Sequence, residues 1–115
     1  MDSQTLDRWR EVIRKSLIEL AEIPYLDGVD IRKKPVFDEE RNAWLVVVEG
    51  WEKTTRRMHG CVAHIELIGD KIWIQEDGTD YGLATEFVAA GVPKEHIVLG
   101  FKTPRTREYT EFAVA

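Results

Sequence analysis

His59, Cys61 and His64 stand close enough in the chain to suggest a metal site, or a thiol nucleophile beside a base. In an extended strand, successive side chains alternate between faces. His59 and Cys61 then share one face while His64 points to the other, and the three do not converge on one ion. Cys61 is the only cysteine, which excludes an internal disulfide and a cysteine cluster and fits a reducing compartment. As a nucleophile it would need an exposed, electropositive setting and a base. Its place in an apolar strand assigns it to packing instead. The carboxylates of Glu66, Glu76, Asp77 and Asp80 lack the regular spacing of a calcium loop and read as turn and surface acids. A phosphate-binding glycine loop and an acyl-transfer elbow are both absent, and Gly69, Gly78 and Gly91 fall where turns and helix ends need them. We assign no catalytic, cofactor-binding or metal-binding residue, and the reading is of a binding protein rather than an enzyme.

Charge narrows the class of partner. The 115 residues hold 16 Lys and Arg against 21 Asp and Glu, a formal charge of −5. Gripping a phosphate backbone requires clustered cations that displace counterions, so tight autonomous DNA binding is not expected. Arg32-Lys33-Lys34, Arg56-Arg57 and Lys102 to Arg107 are local basic groups that folding could gather onto one side; by themselves they read as solvated strand and loop charges. The hydrophobic share of 43% and charged share of 32% suit a packed core under a hydrated surface, and the length suits one domain, residues 1–115. The apolar runs are too short to cross a bilayer, and Met1-Asp2-Ser3-Gln4-Thr5 has the features of no signal segment, so a cytoplasmic location away from membranes is expected.

The elements that must carry these residues are legible. From Ser3 to Glu22, the residues Leu6, Trp9, Ile13, Leu17, Leu20 and Ala21 recur at three- and four-residue steps and form the apolar stripe of a long helix. Ser3 or Thr5 is a candidate cap, and Pro24 stops it. After a turn at Tyr25-Leu26-Asp27-Gly28 comes a strand from about Val29 to Phe37, broken or held at a sheet edge by Pro35. Ala43 to Trp51, Arg57 to Ile68 and Lys71 to Glu76 form three antiparallel strands of a meander. A two-residue hairpin at Gly69-Asp70 pairs Leu67 with Ile72 and Ile65 with Ile74. Centring the preceding turn on Lys53-Thr54 pairs Val46 with Cys61 and Trp44 with Ala63, which places Trp44, Val46, Val48, Cys61 and Ala63 in the core under the first helix. A shorter helix follows, capped by Thr79 or Asp80, with Leu83, Ala84, Phe87 and Val88 inward and Gly91 as its stop. Pro93 opens a turn over Lys94 to His96. Ile97 to Phe101 reads as a short strand and Lys102 to Arg107 as a charged loop. The expected fold is α+β: one domain, an antiparallel meander sheet packed by a long N-terminal helix and a shorter helix in the C-terminal half.

The same alternation gives the sheet an unusual second face. It carries Leu45, Val47, Trp51, Met58, Val62 and Trp73 among Glu49, His64, Glu66 and Gln75, whereas a solvated face should be mostly polar. Its cover is the tail with Tyr109, Phe112 and Val114, a second copy of the chain, or another partner. Leu45, Val47, Trp51, Val62 and Trp73 are the candidate interface, and a homo-oligomer, most simply a twofold dimer, is expected through them.

Four ordered segments resemble one family: Met58 to Ile65 (Met-His-Gly-Cys-Val-Ala-His-Ile), Lys71 to Gln75 (Lys-Ile-Trp-Ile-Gln), Gly91 to Phe101 (Gly-Val-Pro-Lys-Glu-His-Ile-Val-Leu-Gly-Phe), and the ending Tyr109 to Ala115 (Tyr-Thr-Glu-Phe-Ala-Val-Ala). They are similar to the signature of the fdxN element excision controlling factors, the XisI-like proteins, over nearly the whole chain. The resemblance implies an XisI-like fold and a cyanobacterial setting. There the family name refers to excision of a DNA element by a site-specific recombinase during heterocyst differentiation, with the factor an accessory to that event. It also implies a companion protein resembling restriction-type nucleases, and so a complex with that companion, with the recombinase, or with both. The expected function is regulatory, through a protein partner. The alternative is an inhibitor or antitoxin-like neutraliser of the companion nuclease, its acidic surface imitating DNA.

Overall fold

The computed structural model describes residues 2–25 and 29–115. Helix α1 (Ser3–Glu22) starts at Asp2, whose carboxylate accepts the Thr5 amide at 2.8 Å. Asp2 therefore takes the capping role expected of Ser3 or Thr5, because its carboxylate satisfies an amide of the first turn and carries charge favoured by the helix dipole. That hydrogen bond holds the Asp2 carboxyl below its ordinary value. Ile23 ends the helix just before Pro24. Trp9, Ile13, Leu17 and Leu20 of the expected stripe are buried, with Leu6 and Ala21 at its margin. Of the turn read at Tyr25 to Gly28, the residues Leu26 to Gly28 lie outside the described residues.

Strands β1 (Asp30–Asp38), β2 (Ala43–Glu52), β3 (Arg56–Ile68) and β4 (Lys71–Asp77) form the antiparallel meander, and β5 (Ile97–Leu99) adds parallel to β4 after helix α2 (Leu83–Ala89) crosses over. Spatial order equals chain order, which leaves β1, with its Pro35, as an edge strand. The fold is α+β. Helices α1 and α2 lie against one face, over a core of Trp9, Ile13, Trp44, Val46, Ala63, Ile65, Ile72, Ile74, Leu83 and Phe87 together with their buried neighbours.

The β3–β4 hairpin pairs Leu67 with Ile72 and Ile65 with Ile74, as the Gly69-Asp70 turn requires. The β2–β3 hairpin differs from the expected register. Its loop holds three residues, since Glu52 pairs with Arg56, and the register slips once more between Val46 and Val47. The slip is a bulge at Val62, the residue of β3 passed over between Cys61 and Ala63. Val46 therefore faces Ala63, Trp44 faces Ile65, and Cys61 faces Val47. One shift would turn every side chain over, and two restore parity. Trp44, Val46 and Ala63 thus remain in the core, whereas Cys61, between the two shifts, leaves it and is half-buried. A second bulge at Gln75 lies between the Ile65–Ile74 and His64–Glu76 pairs.

The helix α2 entry is also built differently from expectation. Asp77, at the end of β4, accepts the amides of Thr79 (2.9 Å) and Leu83 (2.8 Å), while the Thr79 hydroxyl accepts the Gly82 amide at 3.1 Å. Gly82 holds the cap position itself, and Asp80 has no part in it. Gly91, at φ +105°, makes the left-handed stop. The expected charged loop contains a short helix, α3 (Pro104–Arg107), where Thr103 accepts the Thr106 amide and Pro104 fills the first turn.

Candidate functional site

With α1 and α2 on one side, the other face of the sheet is where side chains meet solvent or a partner. Cross-strand register lays it out in rows from β1 to β3. Asp30, Trp51 and Arg57 form the first, Arg32, Glu49 and His59 the second, Lys34, Val47 and Cys61 the third, and Val36, Leu45 and His64 the fourth. Glu76 of β4 extends the fourth row, and Glu66 and Trp73 pair beyond it. Leu45, Val47 and Trp73 are half-buried, and Trp51 is 42% exposed with the Arg57 guanidinium 5.4 Å from its ring centroid. Among the expected interface residues, Leu45, Val47, Trp51 and Trp73 share this face, whereas the bulged Val62 packs against the core cluster.

The C-terminal segment covers one margin of the face. Arg107 of α3 sets its guanidinium 5.1 Å from the Trp73 ring centroid and donates to the carbonyls of Leu99, Lys102 and Val114. Val98, beside Trp73, is fully buried there. The tail residues named as candidate cover act otherwise. Tyr109 is 80% exposed, Phe112 packs against the core cluster, and Val114 is exposed. Ala113 bridges β5 at Val98. The rows on β1, β2 and the first half of β3 lie outside this cover, as does the exposed Glu76 at the end of β4.

The double slip also moves the first chemical candidates. His59, Cys61 and His64 all fall on the open face, because the bulge cancels the alternation that would separate them. Among the described residues, no three His, Cys, Asp or Glu side chains are placed to hold a metal ion. Burial and then the neighbouring Glu76 carboxylate push the Cys61 thiol up from its ordinary value. A protonated thiol is a poor nucleophile, so the setting is the reverse of an activated cysteine.

The basic groups are largely spoken for. Arg32 pairs with Asp30 at 2.7 Å, Arg57 lies 3.9 Å from Glu49, and Arg56 lies 4.0 Å from Glu52. Lys33 points to the helix side, 6.0 Å from the Tyr25 ring, and burial lowers its pKa. Among the described residues, no helix is long and apolar enough to cross a membrane.

The family described as XisI protein matches residues 1–114. The chain belongs to the XisI family. A XisI-like protein from Anabaena variabilis ATCC 29413, known from its crystal structure, is 36% identical and superposes with a TM-score of 0.87 over 96% of this chain and 99% of that one. The fdxN element excision controlling factor XisI from the same organism is 29% identical, with a TM-score of 0.82 over 96% of this chain and 98% of that one. Comparison with curated proteins returns no significant match. The fold is thus shared over nearly the whole chain.

Sequence reasoning missed Arg107 as the lid on Trp73, although Thr103-Pro104 is a readable helix start that would have aimed it. It also missed the bulges at Val62 and Gln75, which no residue type in the strands announces.

Proposed function

We propose that this XisI-family protein is a regulatory binding protein that controls excision of a DNA element through a protein partner. The observation that carries the reading is the sheet face that no helix covers, where Val36, Leu45, Val47 and Trp51 stand among charged side chains that are mostly paired with one another. Exposed apolar side chains rimmed by polar ones are the ordinary composition of a protein-binding surface. Kinship with a protein named as an excision controlling factor supplies the process. The partner is a companion nuclease-like protein, a site-specific recombinase, or both, and the location is cytoplasmic.

The test is to co-purify the protein with its companion and with the recombinase, and to assay DNA cleavage and excision with and without it. A stable complex whose excision depends on the XisI-family subunit supports the reading. A complex in which cleavage is merely blocked assigns the protein as a neutraliser of the nuclease instead, and DNA processing by the purified protein alone overturns both.

A further inference from the structure

The open face is not electrically uniform. On β1 it carries Arg32 and Lys34, and on β3 and β4 it carries Glu66 and Glu76. Arg32 is held by Asp30, and Glu66 lies 3.6 Å from His64 and accepts from Gln75 at 3.1 Å. No ion pair among the described residues engages Lys34 or Glu76. Between the two strands lie Leu45, Val47 and Cys61, with His64 beside Glu76; Val36 stands next to Lys34 on β1. The face is therefore an apolar centre with an unpaired cation on one flank and an unpaired anion on the other.

A chain of this polarity is complementary to itself. For two sheets packed face to face by a twofold, the axis lies in the plane between them. An axis running across the strands would set β1 over β1, bringing the two basic flanks together. An axis parallel to the strands sets β1 of one copy over β3 and β4 of the other, so Lys34 meets the second copy's acidic flank. Lys34 stands in the row of Val47, and Glu76 in the adjacent row of Leu45. Adjacent rows on one face are about 7 Å apart, within reach of a lysine and a glutamate side chain. The four strands span about 20 Å by about 30 Å, roughly 600 Å² with one margin under the C-terminal segment, below the roughly 800 Å² per partner of a standard interface and suited to a weaker, micromolar dimer.

We infer that the open face is closed by a second copy of this chain, related by a twofold axis parallel to the strands. Leu45, Val47 and Cys61 lie at its centre, Val36 lies beside Lys34 at its edge, and two symmetric Lys34–Glu76 ion pairs flank it. This deepens the proposed function, on which it rests, by naming what occupies that face: the second copy takes the apolar rows, and the excision partner meets the dimer at its rim, which Arg107 and the C-terminal segment border.

The test is solution mass by light scattering across a concentration series for wild type, Lys34→Glu, Glu76→Lys and the double exchange, with circular dichroism to verify folding. Expected are a wild-type dimer at micromolar concentration, at least tenfold weaker association in each single variant, and recovery in the double exchange. A monomeric wild type overturns the inference, as do single variants that associate normally or a double exchange no better than the singles. If the wild type is monomeric yet captures its protein partner, only the dimer is lost and the proposed function stands. A dimer that behaves as expected but captures no partner has the opposite meaning.

Discussion

The guanidinium of Arg107 lies 5.1 Å from the ring centroid of Trp73 and hydrogen-bonds through Nε to the carbonyls of Leu99 and Lys102, so one side chain fastens the C-terminal segment to the sheet. Cation–aromatic attraction contributes about 0.5–1 kcal/mol at partly exposed sites, and a charged donor to carbonyls adds about 1.5 kcal/mol or more. Arg107→Ala is expected to cost about 2 kcal/mol in urea unfolding and to open the tail to proteolysis after Lys102. Arg107→Lys should recover less than half, because an ammonium cannot present the planar fork that reaches several carbonyls and stacks on the ring. Full recovery by lysine would reduce the role to charge alone.

Gly50 is required by its surroundings, and Gly60 is not. At Gly50 φ is +150°, and an added Cβ would come within 2.0 Å of the Asp30 carbonyl oxygen on the edge strand. That oxygen is backbone and cannot step aside without breaking the β1–β2 pairing. Gly50→Ala is expected to destabilise by about 3 kcal/mol or more. Gly60, its neighbour opposite Val48, has open space where a Cβ would go. Gly60→Ala should be neutral or stabilise by up to about 1 kcal/mol through the unfolded chain. Thermal unfolding of the two variants side by side checks the contrast, and equal effects would contradict it.

The parts of this fold that were readable in the chain are those fixed by local periodicity. The Leu6-to-Leu20 stripe, the Gly69-Asp70 hairpin and the Gly91 stop each depend on residues within one turn or one pair of strands, and the structure keeps them. The β2–β3 register depends instead on the number of residues in the Lys53–Thr55 loop and on a bulge at Val62, and neither leaves a compositional mark. Trp44 and Val46 were placed correctly only because two one-residue shifts cancel. Cys61 and Val62, which lie where they do not cancel, were exchanged between core and margin. The parallel strand β5 follows from a crossover through α2, a long-range choice that Ile97-Val98-Leu99 by itself does not specify. The candidate face inherits the same division: its β2 residues and Trp73 were legible, and its lid was not.

Glu86 predicts a pH dependence. It sits on α2 facing α1 near Ser16 and Glu19, and its Oε2 is buried without a hydrogen-bond partner. Burial first, then Glu19, raise its pKa above the ordinary value of 4.5, with Asp77 adding to the rise and the nearby Ser16 hydroxyl opposing it only in part. A carboxyl raised in the folded state binds its proton more tightly there than in the unfolded chain. The native state therefore gains from this group below the unfolded value and loses that gain as pH rises through the folded one. Glu86→Gln removes the loss. It is expected to stabilise by about 1 kcal/mol near neutral pH, with the advantage disappearing below about pH 4. Melting curves across pH check this, and an advantage that grows on acidification would have the wrong sign.

The isolated protein is expected not to bind duplex DNA tightly at physiological salt. Affinity for a phosphate backbone comes mainly from displacing counterions, and its strength scales with the number of cations that reach phosphates. Here the net charge is −5, and the strand arginines are already opposed: Arg32 by Asp30, Arg57 by Glu49 and Arg56 by Glu52. Arg107 is engaged by backbone carbonyls and Trp73, which leaves Lys34, Lys102 and Arg105 as dispersed charges. With Arg8 and Lys15 on α1 and Lys53 in the β2–β3 loop, the remaining cations are spread over separate elements of an acidic protein rather than clustered to reach the six to ten phosphates of salt-sensitive binders. A mobility-shift titration at about 0.15 M salt should give no complex below micromolar protein, while a nanomolar complex that collapses as salt rises would mean that folding has assembled a basic surface these pairings conceal.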